Sequence, residues 1–229
     1  MKRLTIISLH KELLGTYGDQ GNVEVLAHRG GLLGYEVKVA EISYRDLVPD
    51  NGDIYLLGGA EDSAQILSAE ALRRDGGLQR AKERSAVILG VCAGFQILGN
   101  SYFANGVKHQ GLGLLDVDSF PGEKRSVGEI RVTSLLNEEE MSGFENHSGQ
   151  TRLGGRALPL HRVKSGIGNG DGHYDGAMNT NVFGTYLHGP VLARNPHFAD
   201  HLIARATAQY LQFAKDLLAD EYASAALKI

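Results

Sequence analysis

The sequence predicts an α/β protein in which a mainly parallel sheet carries helices on both faces. Short apolar runs alternate with longer amphipathic segments between residues 4 and 98, which is typical of this class. Glycines stand at the ends of many of these runs, where the chain must turn. The chain has 229 residues, 42% of them hydrophobic, and can bury one sizeable core. We therefore expect a single domain over residues 1–229.

The N-terminal part alternates predicted strands with predicted helices. The strands are rich in Ile, Val and Leu and end at glycine or polar residues, whereas the helical segments are rich in Ala, Leu, Glu and Arg. The predicted strands are 4–9, 35–42, 53–57 and 86–90, and the predicted helices are 22–29, 63–84 and 94–98. Strands that alternate with helices favour parallel pairing.

The C-terminal part of the sequence has a different pattern of apolar residues. Between 105 and 181 the apolar runs are short and are interrupted by Gly, Pro and Asn, which predicts β-hairpins or an irregular excursion. The glycine-rich stretch 166–172 is interpreted as a flexible hairpin. Residues 182–187 are predicted to form a strand that returns to the main sheet. An Ala- and Leu-rich helix is expected over about 196–218, with Pro196 in its first turn.

Composition excludes several classes of function. The 23 Lys and Arg residues against 27 Asp and Glu residues give a net charge of −4 without long runs of one sign, which argues against a nucleic-acid partner. The apolar run at 4–9 is too short for a signal peptide, and no apolar stretch is long enough to be a transmembrane segment. A single cysteine allows no internal disulfide and no cysteine-rich zinc site. A cytoplasmic location without a bound metal fits these features best.

The segment 90–96, Gly-Val-Cys-Ala-Gly-Phe-Gln, carries the strongest chemical signal. It has the spacing of a nucleophile elbow, in which a strand ends, a reactive side chain follows and a helix begins. Gly90 and Gly94 let the backbone on either side of this sharp turn come close together. Cys92 would lie at a helix N-terminus, where the dipole and free N–H groups favour the thiolate. The alternative is a buried structural cysteine.

A thiolate nucleophile needs a proton-transferring partner, and His188 is the first candidate. It follows the apolar strand 182–187 and precedes a turn, so it would be held at the edge of the sheet. His147 is the competitor, because it also follows a short apolar run. We interpret the other histidines as surface or packing residues.

Attack on a carbonyl also requires donors for the tetrahedral oxyanion. The backbone N–H of Ala93 is part of the elbow itself. A second donor is expected from the Gly58-Gly59 turn after the strand 53–57, where Gly59 lets the backbone approach a ligand. The alternative for this turn is an ordinary connection between strand and helix.

These segments together resemble the class I glutamine amidotransferases of the cobyric-acid-synthase type. Within that group the chain is similar to the GatD-type glutaminase subunits of lipid II isoglutaminyl synthases. The resemblance covers about residues 4–192. The segments that carry it are 17–22 (Tyr-Gly-Asp-Gln-Gly-Asn), 58–62 (Gly-Gly-Ala-Glu-Asp), 90–96, 143–149 (Gly-Phe-Glu-Asn-His-Ser-Gly) and 184–190 (Gly-Thr-Tyr-Leu-His-Gly-Pro).

The resemblance implies a division of labour between two proteins. This chain would hydrolyse glutamine to glutamate and ammonia. A Mur-ligase-like partner of the MurT type would use ATP to activate the α-carboxyl of D-glutamate in the lipid II stem peptide. The sequence contains no Gly-x-x-x-x-Gly-Lys-[Ser/Thr] phosphate loop, so no cofactor is expected in this chain. Two other functions stay open: a glutaminase component of another amidating synthase, such as one acting on a corrinoid, or a catalytically silent binding module.

The same resemblance suggests how the substrate is held and where the sequence departs from its relatives. Arg125 matches an arginine that binds the substrate glutamine, and a guanidinium suits an α-carboxylate. A solvated turn is the alternative for Arg125. Many class I amidotransferases place a glutamate two residues after the histidine, but this chain has Pro190 there. Asp19, Glu145 or a carboxylate of the partner could orient the histidine instead, and a Cys-His dyad is a further possibility.

Overall fold

The computed structural model describes residues 2–227 and arranges their strands in two six-stranded sheets. The strands are β1 (Lys2–Leu9), β2 (Tyr35–Ile42), β3 (Ile54–Leu57), β4 (Val87–Val91), β5 (Ser101–Ala104), β6 (Val107–Gln110), β7 (Val117–Ser134), β8 (Glu140–Leu153), β9 (His161–Ser165), β10 (Tyr174–Asp175), β11 (Ala177–Asn179) and β12 (Val182–Thr185). The helices are α1 (Lys11–Leu14), α2 (Gly21–Leu32), α3 (Asp62–Asp75), α4 (Gly77–Glu83), α5 (Ala93–Leu98), α6 (Val191–Arg194), α7 (Pro196–Thr207) and α8 (Leu217–Ala226).

The first sheet has the order β11-β12-β4-β3-β1-β2, and all of its pairs are parallel except β11 with β12. Strands β3, β4 and β12 are buried along their whole length, as expected for parallel strands covered on both faces. Helices α2 and α7 contact each other, and helices α3 and α5 form a second contacting pair. The predicted fold class is therefore confirmed.

The predicted excursion forms a second sheet rather than an irregular segment. Its order is β10-β9-β7-β5-β6, and β8 pairs with β7. Strands β7 and β8, of 18 and 14 residues, form a long antiparallel hairpin whose register shifts between Pro121 and Ser126. The hydrophobic core includes residues of both sheets, such as Ile88 of the first and Ile130 of the second.

The predicted helix over 63–84 is divided in two. Gly76, with φ of +66°, ends α3 and precedes α4, because its left-handed conformation cannot continue a helix. The short helix α1, absent from the sequence prediction, lies between β1 and the 15–20 loop. None of the helices within residues 2–227 has the length and apolar character that a membrane crossing requires.

The prediction of one closing helix over about 196–218 is wrong. Helix α7 ends at Thr207, Ala208 takes a left-handed φ of 49°, and α8 begins only at Leu217. The intervening segment is held by a buried ion pair. Arg29 donates to both carboxylate oxygens of Asp200 at 2.8 and 2.7 Å and to the carbonyl of Ala214 at 3.0 Å. The non-helical segment thus supplies one of the acceptors that the buried guanidinium needs.

Candidate active site

Cys92 lies in a strained turn between β4 and α5. Its φ of 53° and ψ of −107° are rare for a non-glycine residue, and its backbone N–H donates to the carbonyl of Thr185 at 2.9 Å. A Cβ on Gly94 would lie 2.5 Å from the carbonyl oxygen of Leu57, and one on Gly90 would lie 2.7 Å from the backbone of Gly94. Both glycines are therefore required by close backbone approach, as the elbow pattern predicts.

His188 lies three positions beyond the end of β12 and is buried, with 4% of its surface exposed. Its Nδ1 lies 3.2 Å from Oδ1 of Asp19. The backbone of His188 exchanges two hydrogen bonds with that of Phe144 in β8, at 3.0 and 2.9 Å. The histidine is thus fixed from the loop before α2 and from the second sheet together.

The charge state of His188 depends on its burial and on two neighbours, Asp19 and Cys92. Burial by itself lowers the pKa of the ring, but the hydrogen bond that the ring donates to Asp19 and the interaction with Cys92 outweigh burial and raise the pKa to about 10. Nδ1 is bound to Asp19. The other ring nitrogen, Nε2, is buried and makes no hydrogen bond within the described part of the chain. Nε2 is therefore the nitrogen free to exchange a proton with the thiol and a substrate.

Of the two local carboxylates considered for orienting His188, only Asp19 contacts it. Glu145 accepts the backbone N–H groups of Ile167 and Gly168, each at 2.9 Å. Its Oε2 lies 3.6 Å from Nε2 of His147. The glycine-rich stretch 166–172 therefore holds Glu145, and the expectation that this carboxylate orients His188 is not met.

One of the two predicted oxyanion donors differs in the structure. The N–H of Gly59 donates to Oδ2 of Asp19 at 2.8 Å, so this amide is engaged. The amides of Ala60 and Ala93 have no hydrogen-bond acceptor among residues 2–227, and both residues line the pocket beside Cys92. The Gly58-Gly59 turn thus presents the amide of Ala60 instead of that of Gly59.

Arg125 lines the same pocket, and its Nε donates to Oδ1 of Asn146 at 2.8 Å. It lies in the stretch where the register of the β7–β8 hairpin shifts. Arg131, the next arginine in the sequence, lines a different depression together with Glu140 and Lys164. The geometry therefore brings Arg125, and not Arg131, to the cysteine pocket.

His147 lines the pocket, but its ring packs against a neighbouring aromatic side chain. Its ring stacks on that of Tyr186 with 3.9 Å between centroids, and its Nδ1 donates to the carbonyl of Gly149 at 2.9 Å. No hydrogen bond joins His147 to Cys92 or His188 among the described residues. Of the two histidines, His188 is the one held against the thiol.

The sequence reasoning missed a buried polar network behind the pocket. The side-chain amide of Gln65 donates to that of Gln96 at 2.8 Å, and Gln96 donates to the hydroxyl of Tyr186 at 3.1 Å. Thr151 and Ser119 continue the network at 2.7 and 2.8 Å. Burial raises the pKa of Tyr186 to about 12, so this hydroxyl stays neutral. The only local indication of this network in the sequence was Gln96, the last residue of the elbow segment.

The assembled groups can carry out acyl transfer. A thiol at a strained elbow can attack a carbonyl, a histidine held by a carboxylate can move a proton, and two free amides can bind an oxyanion. The Arg125 guanidinium adds a site for a substrate carboxylate.

Known proteins with similar sequences and folds extend this picture. The CobB/CobQ-like glutamine amidotransferase domain family matches residues 5–196. The chain is 34% identical over 225 residues to the lipid II isoglutaminyl synthase (glutamine-hydrolyzing) subunit GatD of Streptococcus pneumoniae, which covers 96% of this chain and 86% of that protein. It is 32% identical over 151 residues to the cobyric acid synthase of Listeria welshimeri, covering 61% of this chain and 29% of that protein. A crystal structure of a glutamine amidotransferase shares the fold, with a TM-score of 0.61 and 17% identity over 88% of this chain and 98% of that one.

Proposed function

The chain belongs to the CobB/CobQ-like glutamine amidotransferase family, and from this premise we propose that it is the glutamine-hydrolysing subunit of a lipid II isoglutaminyl synthase. One observation carries the choice within the family. The match to the GatD subunit runs through most of both proteins, whereas the match to cobyric acid synthase covers under a third of that enzyme. This difference favours the GatD type over a corrinoid-amidating synthase.

In this proposal Cys92 is the nucleophile that attacks the side-chain amide carbon of glutamine. The sulphur–carbon bond forms while the carbonyl oxygen becomes an oxyanion, which the N–H groups of Ala93 and Ala60 stabilise. His188 then gives the proton taken from the thiol to the departing nitrogen, and ammonia leaves. A water molecule, deprotonated by the same ring, hydrolyses the thioester to glutamate and restores the thiol.

Asp19 has a positioning role in this sequence of steps. Its Oδ1 fixes Nδ1 of His188 as the protonated nitrogen, so Nε2 faces the reacting atoms. The interactions that raise the pKa of His188 to about 10 favour an imidazolium in the resting enzyme. The ring would therefore already hold the proton that is later given to the departing nitrogen.

Glutamine hydrolysis alone releases ammonia without using it. The proposal therefore includes a partner protein that consumes the ammonia. We assign that role to a MurT-type Mur-ligase-like subunit that uses ATP to activate the α-carboxyl of D-glutamate in the lipid II stem peptide. The relative's name calls GatD a subunit, which supports an assembly. ATP would bind to the partner, and Arg125 in this chain would hold the α-carboxylate of glutamine.

The test is reconstitution of the chain with its MurT-type partner from the same genome. Purified complex is supplied with lipid II and ATP, and amidation is measured by mass spectrometry with glutamine or ammonium chloride as nitrogen source. We expect amidation with either source, and amidation only with ammonium for Cys92→Ala. Glutamine-driven amidation by Cys92→Ala would overturn the nucleophile. Glutamine hydrolysis without lipid II amidation by the wild-type complex would overturn the assignment of the acceptor.

A further inference from the structure

The pocket beside Cys92 contains carboxylates that the proposed chemistry has not used. Arg125 suits the α-carboxylate of glutamine, but the substrate also carries an α-ammonium group. An ammonium needs an anionic or carbonyl acceptor when it leaves water. Two side-chain carboxylates line the pocket, those of Glu61 and Asp62.

Asp62 is already engaged. Its Oδ2 accepts the backbone N–H of Asn105 at 2.6 Å, which ties the start of α3 to the β5–β6 turn. In Glu61, one oxygen accepts the hydroxyl of Tyr17, and Oε2 accepts no hydrogen bond within residues 2–227. Glu61 is therefore the carboxylate with an oxygen available to a ligand.

Tyr17 donates its hydroxyl to Glu61 and lines the same pocket as Arg125. The hydrogen bond to Glu61 is the main reason that the pKa of Tyr17 is raised, burial adds to the increase, and the positive charge of Arg125 acts in the opposite direction. Glu61 and Arg125 thus lie in one pocket, with Tyr17 hydrogen-bonded to the first and lining the same space as the second. The ammonium and carboxylate of an amino acid, both attached to one carbon, need an anionic and a cationic site within one such pocket.

Glu61 also lies next in the chain to a residue at the reacting end of the pocket. It directly follows Ala60, whose free amide is an oxyanion donor in the proposed function. Consecutive Cα atoms lie about 3.8 Å apart. Three carbon–carbon bonds separate the amide carbon of glutamine from its α-carbon, which is a span of the same order. A glutamine with its carbonyl oxygen at Ala60 is therefore long enough for its α-carbon to reach the part of the pocket that Glu61 lines.

We propose that the Glu61 carboxylate binds the α-ammonium of the substrate glutamine, opposite Arg125 on the α-carboxylate, and makes the pocket specific for free glutamine. The inference rests on the proposed glutaminase function of this pocket. It assigns Glu61 a role in substrate specificity and leaves proton transfer to His188. Glutamine that lacks the α-amino group gains nothing from Glu61, so the two substrates should differ most in the wild type.

The experiment compares glutamine with glutaramate, which is glutamine without its α-amino group, in the complex with the MurT-type partner. We expect Glu61→Gln to raise KM for glutamine about tenfold or more, as loss of one charged hydrogen bond implies, with kcat changed less than about threefold. kcat/KM for glutaramate should stay the same, so the preference for glutamine falls. Glu61→Asp should restore part of that preference, and the neighbouring control Asp62→Asn should keep it.

The possible results distinguish a failure of the proposed glutaminase function from a failure of the proposed role of Glu61. A wild-type complex that hydrolyses no glutamine contradicts the proposed function itself. A wild-type complex that hydrolyses glutamine, combined with a Glu61→Gln variant that keeps the full preference over glutaramate, overturns the role of Glu61 alone. Because Glu61 is exposed and precedes α3, Glu61→Gln should fold normally, which its circular dichroism spectrum and Tm check directly.

Discussion

The Asp19 carboxylate lies 3.2 Å from Nδ1 of His188, although 169 positions separate the two residues in the chain. The other oxygen of the same carboxylate accepts the N–H of Gly59 at 2.8 Å. One side chain thus fixes both the histidine and the glycine turn that precedes the free amide of Ala60. The orienting carboxylate comes from a loop near the N-terminus, in place of the position after the histidine that Pro190 occupies.

This contact predicts that Asp19→Asn lowers kcat for glutamine on the order of 100-fold or more with little change in KM. An asparagine amide would donate to Nδ1 and leave the proton on Nε2, which is the wrong tautomer for a base. Steady-state ammonia release from the complex measures the effect. Glu145→Gln is the matched control, because Glu145 does not contact His188. A larger loss of kcat in Glu145→Gln than in Asp19→Asn would refute the assignment.

The raised pKa of His188 predicts how stability depends on pH. Its folded-state pKa of about 10 lies above the ordinary value of 6.5. The stabilisation from the protonated ring is therefore fully present below about pH 6.5 and is lost as the pH rises through about 10. We expect His188→Gln to lower the Tm most at pH 6.5, with the difference from the wild type shrinking towards pH 10. The exposed His173→Gln variant should show no such trend. A constant difference across this range would contradict the ion-pair interpretation.

Arg125→Ala should raise KM for glutamine about tenfold or more, since a charged hydrogen bond contributes about 1.5–3 kcal/mol. Arg125→Lys should have a smaller effect, because lysine keeps the charge but loses the planar fork. Arg131→Ala is the control, as this side chain lines a separate depression. Both Arg125 variants should retain ammonium-driven amidation on the partner. An unchanged KM for glutamine in Arg125→Ala would show that Arg125 does not bind the substrate and is only a solvated residue of a turn.

Gly94→Ala should unfold the protein more easily. The added Cβ would lie 2.5 Å from the Leu57 carbonyl oxygen, and two backbone segments would have to separate to make room. We expect a loss of about 1–3 kcal/mol or more in the free energy of unfolding, measured by urea titration. Gly31→Ala is the contrasting change, because its Cβ would meet nothing within 4 Å and it lies within α2. That variant should gain about 0.5–1 kcal/mol. Equal stability of the two variants would contradict the close packing of the elbow.

The sequence predicts well those features that are determined locally. The strand at 35–42 has the predicted bounds, since its alternating pattern needs no distant information. The elbow at Cys92 is local for the same reason, because its glycines and the reactive residue lie within five consecutive positions. The sequence prediction missed the helix break at Gly76, because the presence of a glycine does not determine its φ angle.

Features that depend on distant contacts were not predictable in this way. Asp200 and Arg29 are 171 positions apart, and the non-helical segment after Thr207 adds the Ala214 carbonyl to the same buried cluster. The choice between Asp19 and Glu145 similarly required knowing which loop reaches His188. The engagement of the Gly59 amide follows from that same choice. In each case a polar group had to find its partner in three dimensions, and no periodicity in the sequence records that pairing.

The two backbone hydrogen bonds between Phe144 and His188 have a consequence for how this chain can vary in length. A residue inserted within 140–147 would slip β8 against its neighbours, turn every following side chain to the other face, and present a different amide to the histidine. Insertions in the 135–139 turn lie outside this pairing and would leave it intact. Functional homologues should therefore tolerate gaps at the tip of the hairpin and keep constant spacing from its first paired residue to Gly149.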